Sequence, residues 1–99
     1  MKIEGDQIEQ VINFGVFGYD AEKMANILGV EVKQIRKEIS KENSEFSLLL
    51  QKGNDMADYV IDLKLFELAK AGDLKALDKL EVRKAQHQSI KEEDDGLIT

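Results

Sequence analysis

The sequence predicts an all-α fold on three observations: apolar residues recur at spacings of three and four along almost the whole chain, proline is absent, and glycines punctuate the pattern. The strict apolar-polar alternation of a half-buried strand is missing. Without proline no residue breaks a helix interior by removing its N–H, so helix ends fall to glycines and side-chain caps.

Taken in order, Asp6 is placed as the N-cap of a first helix with Ile8, Val11, Ile12 and Phe14 on one face, ending near Gly15. Val16-Phe17-Gly18-Tyr19 reads as an apolar connector. Asp20 caps a second helix, Ala21 to Leu28, with Met24, Ile27 and Leu28 at helical spacing, and Gly29 ends it. A third helix runs from about Glu31 to Lys41, with Val32, Ile35 and Ile39 on its buried side. Asn43 or Ser44 caps a fourth, holding Phe46, Leu48, Leu49 and Leu50 and stopping near Gly53. Asn54 or Asp55 opens the longest segment, which reaches Ala71 before Gly72, and Asp73 starts a last helix from Leu74 to about Gln88 with Leu77 and Leu80 inward. Ser89 to Thr99 contains four consecutive acids and a glycine, and reads as an acidic disordered tail. Three regions follow: residues 1–42, 43–88 and 89–99.

Composition narrows the chemistry. The 99 residues carry no cysteine, which excludes a disulfide framework and a Cys-ligated zinc site, and a lone histidine, His87, cannot build a His-based one. No metal or cofactor is expected. The apolar run Leu48 to Leu50 is far short of the ~20 residues of a membrane span, and the first six residues lack an apolar leader, so a cytoplasmic protein without membrane partners is expected. Net charge is −6, and half of it sits in residues 89–99. Phosphate neutralisation supplies most non-specific nucleic-acid affinity, so a chain of this charge needs a local basic face, and several copies of it, to hold DNA.

Such a face exists on the third helix. Opposite its apolar side lie Lys33, Gln34, Lys37 and Lys41, with Arg36 and Ser40 on one edge and Glu31 and Glu38 on the other. The segment Glu31 to Lys41 has four basic and two acidic residues. Long donors of these types suit the major groove: Arg and Lys for phosphate and guanine, Gln for adenine. Residues 21–39, with Ala25 four positions before Gly29 and Met24, Leu28, Val30 and Ile35 as corner residues, resemble the helix-turn-helix of DNA-binding proteins. That motif carries an apolar residue where this sequence has Glu38, so either Ile39 takes over or the helix is rotated.

Residues 54–71 project two apolar stripes, whereas a surface helix needs one. Met56, Tyr59, Val60, Leu63 and Phe66 form the first; Ala57, Ile61, Leu65, Leu68 and Ala69 form the second. Partner subunits are a natural cover for the surplus stripe; a compact monomer with neighbouring helices on both sides is the alternative. The candidate self-association residues are Met56, Tyr59, Val60, Leu63, Phe66, Ile61, Leu65 and Leu68.

Phe46, Gly53, Ala57 and then Leu65-Phe-Glu-Leu-Ala69-Lys-Ala-Gly72-Asp73-Leu-Lys-Ala76, behind a helix-turn-helix, resemble the small subunit of phage terminases. In that family a run of the type Leu-x-x-x-Ala-x-x-Gly-Asp/Asn-x-x-Ala follows the central helix, and Leu65, Ala69, Gly72, Asp73 and Ala76 match it. Gly72-Asp73 also has a plain reading as a C-cap followed by an N-cap. The resemblance implies a non-enzymatic subunit, phage- or prophage-encoded. It would recognise double-stranded viral DNA through Lys33, Gln34, Arg36, Lys37 and Lys41, assemble as a homo-oligomer or ring, and deliver DNA to a large ATPase-nuclease subunit engaged through residues 89–99. A small helix-turn-helix transcription regulator and a helical protein-interaction module without DNA binding stay open beside it. Catalysis finds no motif: there is no phosphate-binding loop and no nucleophile elbow. His87 reads as a surface histidine near a helix C-terminus, and the aromatics Phe14, Phe17, Tyr19, Phe46, Tyr59 and Phe66 read as core.

Overall fold

Five helices are found among the described residues, α1 (Gly5–Phe17), α2 (Ala21–Leu28), α3 (Val32–Ser40), α4 (Glu45–Lys70) and α5 (Leu74–Ile98), and no strand. The structure, a computed structural model, describes the backbone of residues 1–98 and the side chains of residues 1–88. The chain is therefore all-α, as expected. No described helix is long and apolar enough to cross a membrane.

Two compact units divide the chain, Met1–Asp58 and Tyr59 onward, and the division falls inside α4. The sequence places a boundary after residue 42, but the first part of α4 packs with the N-terminal unit because Phe46 sits in that core.

In the first unit, α1 is capped by Glu4 and not by Asp6. Glu4 and Gln7 bond reciprocally, with the Glu4 N–H donating to Gln7 Oε1 at 3.1 Å, so two otherwise orphaned donors are satisfied. The helix passes Gly15 and ends at Gly18, two residues beyond the expected connector's start. Gly15 is instead a contact residue. A Cβ built there would lie 2.1 Å from the carbonyl oxygen of Leu50, and one built on Gly53 would lie 1.8 Å from that of Ile12. The two backbones approach too closely for any side chain. Gly53 therefore stops no helix, Asn54 and Asp55 open none, and the expected fourth and fifth helices are one continuous α4. Ser44 does cap it, its Oγ accepting from the Ser47 N–H at 3.1 Å.

The core of this unit comprises Ile3, Val11, Phe14, Met24, Ala25, Ile35 and Phe46. Phe46, Met24, Ile35 and Val11 are its largest fully enclosed side chains, each contributing about 1.5–3 kcal/mol by leaving water.

The second unit is a hairpin of the end of α4 and α5. The Gly72 N–H donates to Ala69 O and the Asp73 N–H to Leu68 O, both at 3.0 Å, which satisfies the last carbonyls of α4. Asp73 Oδ1 then accepts from the Ala76 N–H at 3.1 Å and opens α5, so Gly72-Asp73 is a cap pair. Ala76 is the only side chain of this unit buried among the described residues. Leu77, expected inward, is exposed, and Leu80 is half-buried. The expected aromatic core holds for Phe14 and Phe46 but fails for Phe17, Tyr59 and Phe66, which are 60%, 65% and 48% exposed.

α5 continues past Gln88 to Ile98. The segment read as a disordered tail from 89 is thus helical backbone as far as Ile98; no proline interrupts it, and after Gly72 its first glycine is Gly96. Its side chains, and with them the expected motor contact, lie outside the described residues.

Candidate nucleic-acid interface

The corner between α2 and α3 is built by local chemistry. Asp20 accepts from the Lys23 N–H at 2.8 Å and starts α2. Gly29 ends it at φ 71°, a left-handed conformation that costs glycine least, and the N–H groups of Gly29 and Val30 both donate to Ala25 O, at 2.9 and 3.1 Å. Met24 and Ala25 are buried beneath this turn, with Leu28 and Val30 packed at the edge. Ala25, the small residue that the spacing places at the corner, is buried there.

α3 is turned relative to expectation. Its buried residues are Ile35 and Glu38, whereas Ile39 is 41% exposed. The apolar position that the sequence leaves to Ile39 is filled by the carboxylate itself, because the Met1 ammonium reaches Glu38 Oε1 at 2.6 Å and neutralises it. The Glu38 carbonyl is also satisfied, accepting from Ser44 Oγ and Ser47 Oγ, each at 2.8 Å. The hydrogen bond from the ammonium holds the Glu38 carboxyl below its ordinary pKa, against the opposing effect of burial.

With Ile35 and Glu38 inward, the 100° step of the helix centres the outward side on Lys33 and Ser40, with Lys37 beside them. All five sequence-predicted contacts, Lys33, Gln34, Arg36, Lys37 and Lys41, are exposed. Lys33, Gln34 and Lys37 make no side-chain hydrogen bond or ion pair among the described residues. Arg36 differs: its Nη2 lies 3.5 Å from Glu22 Oε1 in the first turn of α2. Periodicity did not single out Glu22, since its role depends on the fold bringing residues 14 positions apart together. Lys41 lies just past the end of α3.

No protein-family model, curated protein or solved structure matches this chain.

Other chemistry-bearing groups lie elsewhere. Among the described residues no group of His, Asp and Glu is placed to hold a metal ion. His87 is not at a helix end, as the sequence suggests, but inside α5, with Nε2 3.2 Å from Asp62 Oδ2, while Arg83 Nε bonds Asp62 Oδ1. The Arg83 hydrogen bond is the main reason the Asp62 carboxyl is held below its ordinary range, outweighing partial burial; His87 adds to it.

The candidate self-association residues are largely uncovered. Met56, Tyr59, Val60, Ile61, Leu63, Phe66 and Leu68 are exposed, and Leu65 is half-buried. One side of the hairpin forms an apolar groove of about 610 Å³ over Phe66, Ala69, Leu77 and Leu80, and a second groove crosses Ile61, Leu65 and Val82. An isolated hairpin thus presents apolar surface on both sides, in a segment too small to need so much of it for its own packing.

Proposed function

We propose that this chain is the non-enzymatic DNA-recognition subunit of a phage genome-packaging terminase, binding double-stranded DNA as a homo-oligomer and delivering it to a large ATPase-nuclease subunit. One observation carries the DNA reading: Lys33, Gln34 and Lys37 project from α3 without side-chain partners among the described residues, on a helix that follows the Ala25–Gly29 corner, so their donors remain available to phosphate and base edges. α2 and α3 then act as a helix-turn-helix with α3 in the major groove. The uncovered apolar faces of the hairpin support assembly, and assembly offsets the net charge of −6, because linked modules bind at a high effective concentration.

The test has two halves: mass by native mass spectrometry, and duplex binding across a salt series for the full chain and for Lys33→Glu/Lys37→Glu. The expected result is a multimer whose DNA affinity falls with salt and is lost on charge reversal. A strict monomer indifferent to DNA overturns the proposal. A dimer specific for a two-fold operator assigns the chain to the transcription regulators instead.

A further inference from the structure

The outward donors of α3 fall into two classes. Lys33, Gln34 and Lys37 have no side-chain partner among the described residues, but Arg36 faces Glu22 at 3.5 Å, and both side chains are largely in water, 60% and 77% exposed. The pair stands at the edge of the basic stripe, one residue round the helix from Lys37, where a ligand on that stripe meets both members. Electrostatically it is a neutral unit. A phosphate that drew Arg36 away would leave a bare carboxylate well within the screening length of about 8 Å at physiological salt. Asp20, the cap of α2, adds a second carboxylate two residues earlier, its Oδ1 already engaged by the Lys23 N–H. Asp20 and Glu22, set against Lys23 alone, therefore weaken the attraction for an anion that a helix N-terminus ordinarily has.

We propose that Glu22 is a specificity-determining residue of the DNA interface: by holding Arg36 in a neutral pair it removes one phosphate contact and leaves recognition to Lys33, Gln34 and Lys37. The inference rests on the DNA-binding function proposed above. Its consequence is selective. Non-specific attraction comes from counterion release and scales with the number of phosphates neutralised, whereas base-edge contacts do not add to that count. Removing one cation from the phosphate-binding set thus weakens binding to arbitrary DNA and leaves base contacts in place.

The experiment compares salt dependences of the full chain on an arbitrary-sequence duplex, read by fluorescence anisotropy, for wild type, Glu22→Gln, Arg36→Gln, the double variant and Lys33→Gln/Lys37→Gln. Glu22→Gln is expected to bind more tightly and to steepen the slope of log K against log salt by about 0.9. Arg36→Gln keeps the wild-type slope, and the double variant returns to it. Lys33→Gln/Lys37→Gln flattens the slope by about 1.8, the signature of two lost phosphate contacts. An unchanged slope in Glu22→Gln overturns the role of Glu22, as does a slope flattened by Arg36→Gln alone, since Arg36 would then already be on a phosphate. If Lys33→Gln/Lys37→Gln leaves both the slope and the affinity intact, or no variant binds duplex, the DNA function fails and the inference with it. Because both members of the pair are exposed, the variants are expected to fold, and unchanged helical melting curves check this.

Discussion

Gly15 and Gly53 meet back to back where α1 crosses α4: a Cβ on Gly15 would lie 2.1 Å from Leu50 O, and one on Gly53 would lie 1.8 Å from Ile12 O. Each glycine's missing side chain is the space the other helix's backbone occupies.

Helix propensity and packing give opposite signs for alanine at these sites. Propensity favours Gly→Ala inside a helix by about 1 kcal/mol, whereas a methyl forced against a backbone carbonyl costs about 1–3 kcal/mol or more, since backbone cannot swing aside as a side chain does. Gly15→Ala and Gly53→Ala should therefore each lower the denaturant midpoint. Gly5→Ala is the control: nothing lies within 4 Å of its Cβ, so it should be neutral or stabilising. A stabilised Gly53→Ala would refute the close crossing.

Glu38→Ala and Glu38→Leu should both destabilise the first unit by leaving the Met1 ammonium without its carboxylate, and Glu38→Leu should lose less because its side chain refills the buried position. The pH dependence has a fixed sign. Folding lowers the Glu38 pKa, so the carboxylate stabilises the fold above its ordinary titration range, and that contribution is lost as pH falls through the lowered value. Chemical denaturation from neutral to acid pH should show a smaller acid loss in Glu38→Leu than in wild type.

Asp62 ties α5 to α4 through Arg83 and His87. A double-mutant cycle with Asp62→Asn and Arg83→Met should give a coupling of about 0.2–1 kcal/mol, typical of partly exposed pairs. Amide exchange across residues 74–84 should be faster in either single variant. The lowered Asp62 pKa adds an acid-side loss of the same sign as that of Glu38. A cycle with no coupling would mean the contact contributes nothing.

Phe66→Ser and Leu63→Ser separate folding from assembly. Both residues are roughly half exposed in the single chain, 39% for Leu63 and 48% for Phe66, so the intramolecular cost should be about 1 kcal/mol, a fraction of full burial. If other copies cover this face, sedimentation or native mass spectrometry should show smaller species for these variants. Full-size assemblies with both serines present would exclude the face from the interface.

Features set by neighbouring residues were legible in the sequence. Asp20 and Gly29 bound α2, and Ser44 and Asp73 start their helices, because caps and left-handed turns act over four or five residues. Lys33, Gln34, Arg36 and Lys37 are exposed as the amphipathic period of α3 predicts, since it survives a modest turn of the helix; Lys41 is exposed too but lies past the helix end. What escaped depends on distant partners. A glycine that ends a helix and one that admits a crossing backbone look alike in one dimension, which is why Gly53 reads as a helix stop in the sequence and is a close-contact residue inside α4. Glu38 looked misplaced among apolar positions until its partner, 37 residues away, was known.

A hairpin whose described residues bury only the side chain of Ala76 has little with which to hold itself together. If other copies supply the missing cover, protein concentration becomes a reactant in its folding, and dilution becomes a denaturant. Melting temperature would then rise with the amount of chain in the cuvette, and a loss of α5 helicity on dilution would precede any unfolding of the corner that carries Lys33 and Lys37.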